Sequence, residues 1–546
     1  MQIVDSFISA GLIRRGMVVS GEFITGITRT AQLEITEFLD PRLACLTVGD
    51  AGAAIILESS GGTDVGFHEL DMYTLGKYAW MCIGRLTEQP HGGAIMLVPD
   101  PMEHTSVAVR YSVTHAKHTL DNSRYRPEQI QRLIMHQTSE RSLLDGAKAI
   151  NKAFKKKVST KENTINNLAH RGNTASTSHM VALWDNTLNG TIQSGENVVF
   201  GITGSGQTIG TAIYTFDDLP DRLRAAKNEG KVPEKVSDEV ALPPLKARTV
   251  PRVRIAAVAT FPEREPLSED SVDTATRAAE DCLAKTSYDR SDIELLIFAG
   301  ITRTAYVSEP ALAAMVTGKM KMNDIIEDEL DKKTFAFDVY NGAMGFLNAC
   351  QIATEMIRAG KYRTAMIVTS EVELNREMHP EKMLRIVETG SAVVLDSTAE
   401  NRTGFSCFSF HYDCDKMDSR RATGGYVDGK PCLDLRIDDN LIDDYLEMIP
   451  EAVDKVLAEE GIDISDVDLF LPPQISPAMN SKLPNLLGVE PHRFIDVSRE
   501  EADLFTSALP YSLEYIQREK RAKPGQIGLV IHAASGLQVG CAIYYF

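Results

Sequence analysis

The sequence predicts a layered α/β fold with mostly parallel strands, present in two tandem copies. Strand and helix periodicities alternate along the chain, long stretches of one half recur in the other in the same order, and a charged, proline-containing segment divides the halves. The later copy shows the elements in full. Residues 253–259 are an apolar strand run, 268–284 carry apolar residues near a 3.6 spacing, and 293–299 reads as a buried strand. A helix over 310–318, a strand over 334–339, a long helix over 343–359 and a strand over 365–370 follow. A hairpin-like region comes next, and after Asn440 the alternation resumes with a helix over 441–459 and a strand over 467–471. Such alternation places helices on the faces of a sheet. Each copy itself reads as two similar halves.

The repeat is visible residue by residue. QIVDSFISAGLIRRGMVVSGE (2–22) realigns with QIATEMIRAGKYRTAMIVTSE (351–371), and 48–57 with 386–395. LIMHQ (133–137) matches FLPPQ (470–474), and both copies end alike, at 198–214 and 529–544. Residues 216–250 carry four prolines and little apolar periodicity, which reads as a linker with one short helix around 220–228. The expected organisation is residues 1–216 as the C-terminal two-thirds of one copy, 217–250 as a charged linker, and 251–546 as a complete copy. About 98 residues at the start of the second copy have no counterpart before Met1, which falls inside a helix of the repeat. An upstream-encoded N-terminal segment, its supply in trans, or its loss would each account for this.

Composition narrows the function classes. The 57 Lys+Arg against 76 Asp+Glu leave a net charge of −19, which argues against nucleic acid because phosphate binding needs concentrated positive charge. With 43% apolar residues the chain can bury a large core, yet no run reaches the ~18 apolar residues of a membrane helix. The opening run contains Asp5 and meets Arg14 and Arg15 at its C-terminal end, the reverse of a signal peptide. Eight cysteines without a CxxC do not make a disulfide framework. A cytoplasmic protein is expected, without contact to membrane or nucleic acid.

Three segments of the first copy carry chemistry-bearing residues. Ile134-Met135-His136-Gln137 ends an apolar strand and opens a helix over 139–154; Arg171-Gly172-Asn173-Thr174-Ala175-Ser176 opens a helix over 176–188; Gly204-Ser205-Gly206-Gln207-Thr208-Ile209-Gly210 links two apolar strands. A His at a strand end and an Asn at a helix start are groups that a rigid scaffold presents. Taken singly, an exposed His and a helix-capping Asn explain them as well. The glycine loop is followed by a strand rather than a helix, so it is not a dinucleotide site. Cys407 and His411 lie on one face of a strand and Cys414 on the other, a poor arrangement for a metal. No GxSxG occurs.

In their order these segments resemble the condensing enzymes of the thiolase superfamily, specifically ketoacyl-acyl-carrier-protein synthase III. That family carries a GDGAG-like turn, HQAN, GNTSAAS and a glycine-rich FGGG-x-TWG loop. Here they stand as Gly49-Asp50-Ala51-Gly52, His136-Gln137-Thr138-Ser139, Gly172 to Ser178, and Gly204 to Gly210. In the second copy, Asp338 to Phe346 (DVYNGAMGF) is similar to the family's DVxxACAGF. The resemblance implies a thiolase-like layered αβαβα fold, two tandem copies forming an internal pseudo-dimer, and a Cys-His-Asn catalytic set. The Cys, at a helix N-terminus, attacks an acyl thioester; His and Asn then stabilise the enolate left when malonyl thioester loses CO2. His136 and Asn173 are the implied pair, Ser205 and Gly206 the oxyanion loop, and Arg141 a carrier-protein docking residue, to which Lys155 to Lys157 would add if they are not simply a solvated face. Acyl carrier protein or CoA thioesters are the implied partners and substrates, with no metal and no organic cofactor.

The nucleophile is missing. Its position in the second copy is Ala343, and the His and Asn positions there are Pro473 and Asp503, so that copy is expected to be silent. In the first copy the position would precede Met1, and none of the eight cysteines, Cys350 included, falls on it. Three readings follow: an acyltransferase or condensing enzyme of fatty acid or specialised metabolism whose Cys lies in the missing segment, a non-catalytic partner of an active ketosynthase, or a malonyl thioester decarboxylase working without Cys. A degradative thiolase is disfavoured, because its second Cys near the glycine loop is here only Ser205. Residues 306–309 of the second copy correspond to the loop that crosses into a neighbouring pocket.

Overall fold

The computed structural model describes residues 1–546 except 39, 60–63, 88–91, 230–251, 263–269, 324–331, 398–402 and 501. In the first copy helix α1 (Gln2–Ser9) leads into β1 (Arg15–Glu22), which pairs antiparallel with β2 (Ala51–Glu58) as a sheet of two strands. A four-stranded sheet of order β3-β8-β7-β6 follows. It contains β3 (Gly66–Thr74), β6 (Arg132–Met135), β7 (Asn197–Gly204) and β8 (Thr208–Thr215), with the hairpin β4 (Ile83–Leu86) and β5 (Ala94–Leu97) between β3 and β6. Its helices are α2 (Pro101–Asn122), α3 (Glu140–Phe154) and α4 (Ser178–Leu188). Each start has a local cause. Asp100 accepts the N–H groups of Met102 and Glu103 ahead of Pro101, and Ser139 accepts that of Ser142 at 3.1 Å. Helix α5 (Leu219–Glu229), expected around 220–228, docks on the first copy: Arg224 donates to the carbonyls of Thr187 (3.0 Å) and Ile192 (2.8 Å). The rest of the expected linker, 230–250, lies outside the described residues.

The second copy runs β9 (Val253–Phe261), α6 (Ser271–Leu283), β10 (Leu295–Phe298), α7 (Leu312–Lys319), β11 (Phe335–Asp338), α8 (Gly345–Arg358), β12 (Thr364–Glu371) and β13 (Thr389–Ser397). It continues with β14 (Gly404–Tyr412), the hairpin β15 (Arg420–Val427) and β16 (Lys430–Ile437), α9 (Leu441–Glu460), β17 (Leu469–Leu471), α10 (Ala508–Arg518), β18 (Ile527–Ala534) and β19 (Gln538–Tyr545). Nine strands join in the order β11-β10-β12-β13-β9-β14-β19-β18-β17, with β14 meeting β9 only at Phe405 and Val253. The two halves of this sheet clasp α8 and α10, whose Phe346, Leu347, Leu509 and Leu513 share one core with Ile297 and Val530. Helices α6 and α7 cover the outer face of one half and α9 that of the other. The result is the five-layer αβαβα order. The expectation of mostly parallel strands is corrected: among described strands only β6–β7, β10–β11, β10–β12 and β17–β18 are parallel. Helical crossovers produce those four pairings, whereas the strands joined by turns and loops run antiparallel.

The copies touch. Gln2 donates to the Tyr362 hydroxyl at 3.0 Å, the Thr74 N–H reaches the Thr334 carbonyl at 2.8 Å, and Gly84 exchanges main-chain bonds with Glu309. No helix among the described residues is long and apolar enough to cross a membrane.

Candidate functional site

Matched hydrogen bonds show that the two copies present the same positions. The Gly49 N–H binds the Asn173 carbonyl and the Asn173 N–H the Thr47 carbonyl, both at 2.8 Å; Val387, Asp503 and Arg385 repeat this at 2.9 and 3.0 Å. Asn173 Oδ1 accepts from the Ala175 N–H at 3.0 Å, and Asp503 Oδ1 from that of Phe505 at 2.8 Å. The side-chain amide of Gln137 donates to Ile165 and accepts from Asn167, as that of Gln474 does with Ile495 and Val497. His136 and Pro473, one residue earlier, are therefore equivalent.

His136 ends β6, where its N–H donates to the Gly201 carbonyl at 3.0 Å. The same carbonyl accepts from His179 Nε2 at 2.9 Å, and the two imidazoles stack with centroids 5.7 Å apart. Burial, then His179 and His104, pull the His136 pKa down to about 3, so its ring is neutral. The bond from Gln137 N–H to Ser178 Oγ, 3.1 Å, fixes this strand end to the start of α4. Asn173 precedes that helix; with Oδ1 already engaged, its side-chain NH2 supplies the donors.

Ser205 and Gly206 form the turn between β7 and β8, and Gly206 stands at φ +78°. A Cβ there would lie 2.8 Å from Ala314 Cβ and 3.1 Å from Pro310 Cβ, so the glycine loop of the first copy is pressed against the second. Glu309, also from the second copy, accepts a hydrogen bond from Ser205. Burial raises its carboxyl pKa, the Ser205 bond opposes that rise, and the Glu22 charge adds to it. Glu22 in turn accepts from the Ser176 N–H at 3.2 Å and from its hydroxyl. The crossing loop is held by Gly84, whose carbonyl accepts from Ser308 (2.8 Å) and Glu309 (3.1 Å) and whose N–H donates to Glu309 (2.9 Å). Arg303 anchors the loop through Asp338 at 2.9 Å. Cys82 lies near Glu309, but burial pushes its thiol up to about 12, far from a reactive thiolate. Arg141 is exposed and paired with Asp145 at 2.7 Å. The sequence flagged the crossing loop but did not single out Glu309; Glu22, His179 and His104 carried no local signal.

In the second copy Ala343 lies two residues before α8, and the ring of His532 hydrogen-bonds its backbone. The neighbouring Gly342 faces Ser535 of the matched glycine loop, 3.4 Å from a built Cβ to Oγ. The helix start is thus in place without a thiol. Pro473 is buried. Asp503 is taken by Arg420 at 3.0 Å, and that guanidinium lies 5.0 Å over the Phe505 ring. A buried ion pair stands where the first copy presents an amide.

The second copy carries the five-layer αβαβα fold, and the first sets a His, an Asn and a glycine turn at its strand and helix ends. The C-terminal model of 3-oxoacyl-[acyl-carrier-protein] synthase III matches twice, at residues 120–216 and 457–546, and the companion model of that synthase matches 337–415. The chain is 24% identical over 283 residues to the β-ketoacyl-[acyl-carrier-protein] synthase III of Ehrlichia canis, a match covering 50% of this chain and 84% of that one. It is 25% identical over 288 residues to that of Clostridium perfringens, covering 51% and 85%. Among solved structures, Xanthomonas campestris OleA with bound lauric acid and lauroyl-CoA aligns at 18% identity and TM-score 0.48, covering 55% of this chain and all of that one. The 3-oxoacyl-(acyl carrier protein) synthase III of Xanthomonas oryzae aligns at 17% and 0.47, covering 54% and 99%. The chain is a ketoacyl-acyl-carrier-protein synthase III-like member of the thiolase superfamily.

Proposed function

We propose that residues 1–216 are the working copy of a condensing enzyme acting on acyl and malonyl thioesters, and that residues 251–546 are its silent counterpart in an internal pseudo-dimer. One observation carries the reading. The first copy keeps a neutral His136, a donor-bearing Asn173 and the Ser205–Gly206 turn, while the second fills the Asn position with the Arg420–Asp503 pair. When the carboxylate of a malonyl thioester leaves as CO2, the bonding pair stays behind as an enolate. The His136 ring N–H and the Asn173 amide donate to its oxygen, and a neutral imidazole does so without losing its proton. The Ser205 N–H lies in the turn assigned to the oxyanion of acyl transfer. Glu309 completes this site from the second copy. Arg141 fits a carrier-protein docking role, and fatty acid or specialised metabolism in the cytoplasm is the proposed setting.

The nucleophilic Cys of such a reaction is not among the eight in the chain. A second reading, in which the protein decarboxylates malonyl thioesters or supports an active synthase as a non-catalytic partner, draws on none of these eight cysteines standing at the nucleophile position. Release of CO2 from malonyl-CoA or malonyl-acyl-carrier-protein separates these. Release that falls at least 100-fold on Asn173→Ala and on His136→Ala supports the proposed pair. Release unaffected by either change overturns it. No release above background leaves the partner role.

A further inference from the structure

Hydrogen bonds fix Asn173 and Gln137: Oδ1 of the first accepts the Ala175 N–H, and the amide of the second engages Ile165 and Asn167. The His136 imidazole has no hydrogen-bond partner among the described residues, and what lies against it is a second imidazole. His136 stacks on His179 with centroids 5.7 Å apart and planes 22° from parallel. His179 meets Phe200 of β7 on a further contact, 6.3 Å between centroids and 58° between planes. The middle ring is itself tied down, because its Nε2 donates to the Gly201 carbonyl at 2.9 Å. That oxygen also accepts the His136 N–H at 3.0 Å, so the start of α4 and the end of β6 hang from one acceptor.

The second copy shows what accompanies the loss of the His. Ile134 pairs with Phe200 as Leu471 pairs with Val530, and His179 is the second residue of α4 as Leu509 is of α10. His136, His179 and Phe200 therefore answer to Pro473, Leu509 and Val530. Leu509 and Val530 are 2% and 1% exposed, in the central core, and Pro473 is buried beside them in the fold. The backbone frame is matched between the copies, down to the amides of Gln137 and Gln474, yet all three rings give way to aliphatic side chains together.

From these features we infer that His179, backed by Phe200, is a positioning residue that fixes the plane of the His136 imidazole so that its N–H is directed at the enolate oxygen. The χ2 torsion of a histidine is broad when nothing holds the ring. Aromatic pairs favour offset packing at ~4.5–7 Å between centroids, which sets one plane by the other. Burial lowers the pKa of both imidazoles, and the other titratable group acting on His136 is His104 of α2, so among the described groups no carboxylate orients the ring through an ion pair. The inference rests on the proposed function for what the ring points at, whereas the fixing of the ring belongs to the chain by itself.

The experiment compares crystal structures of the full chain and of His179→Leu and His179→Phe, together with CO2 release from malonyl-CoA. Leucine is what the second copy holds at the matched place, and in either variant the Gly201 carbonyl keeps the His136 N–H, so no acceptor is orphaned. In His179→Leu the His136 ring is expected to turn by more than about 30° or to split between orientations, and in His179→Phe to stay as in the parent. His179→Leu should lower kcat about tenfold with KM within about twofold, and His179→Phe should recover kcat to within about threefold of the parent. In a His136→Ala background His179→Leu should cause no further loss, because it acts only through that ring. Should His179→Leu fail to fold, His179→Gln, which keeps a donor for Gly201 but no ring face, carries the same expectations. A His136 ring left in its parent orientation by the loss of the His179 ring overturns the inference, and so does an equal loss of kcat in the His136→Ala background. A parent chain that releases no CO2 counts against the proposed function, and the ring orientation then decides the inference alone.

Discussion

Breaking the Arg420–Asp503 pair tests whether it closes the pocket of the second copy. The charges are 3.0 Å apart with side chains 6% and 11% exposed. At an effective dielectric of 20 their attraction is about 332/(20 × 3.0), or ~5.5 kcal/mol, much of it offset by the cost of taking both ions out of water. Removing one partner leaves the other buried and uncompensated, so Arg420→Met is expected to cost about 3–5 kcal/mol. Asp503→Ala should cost at least as much, because it also strips the acceptor from the Phe505 N–H, 2.8 Å away. The double variant should recover most of one single loss, a coupling of ~2–3 kcal/mol. Urea unfolding followed by far-UV circular dichroism measures all three. Single losses under ~1 kcal/mol with no coupling would refute the view that this pair holds the pocket shut.

Gly206→Val places a branched side chain at φ +78° against Pro310 and Ala314, and should lower stability by about 1–3 kcal/mol. The same change at Gly536, whose built Cβ meets nothing nearer than 4.0 Å, should cost less, and thermal midpoints compare the two. Because Glu309 holds its proton more tightly when folded, its contribution is full below the unfolded carboxyl value and is lost as pH rises through the raised one. Glu309→Gln should therefore gain in melting temperature over the parent between pH 5 and pH 8. His136 titrates the other way: its folded value, about 3, lies below the ordinary 6.5, so the unfolded chain takes up the proton first and stability is lost as pH drops from 6.5 towards 3. His136→Gln should flatten this acid limb by up to ~1.4 kcal/mol per pH unit in urea titrations.

The alternation of strands and helices was legible because burial on both faces leaves unbroken apolar runs, as at Leu295–Phe298. The site positions were legible because turns and glycines recur at matched places. Boundaries depended on distant groups. A helix expected to begin at Pro310 begins at Leu312, where the Asp338 carboxylate accepts the N–H groups of Leu312 and Ala313 at 2.8 and 2.9 Å. Glu309 was hidden for the same reason, since its partner Ser205 stands some hundred residues earlier across the copy boundary. Arg420 carried no local sign that it would meet Asp503, 83 residues on.

The grip of Gly84 on the crossing loop sets how the second copy can change over generations. On the proposed function, selection on the first copy acts through residues 303–310, of which Glu309 accepts from Ser205, and not through the closed pocket around Pro473 and Asp503. Drift is thus free to rewrite that pocket as long as Arg303, Asp338 and the loop they support are retained. On that reading, loss of catalysis in one copy and preservation of its outer loop are two results of a single inheritance.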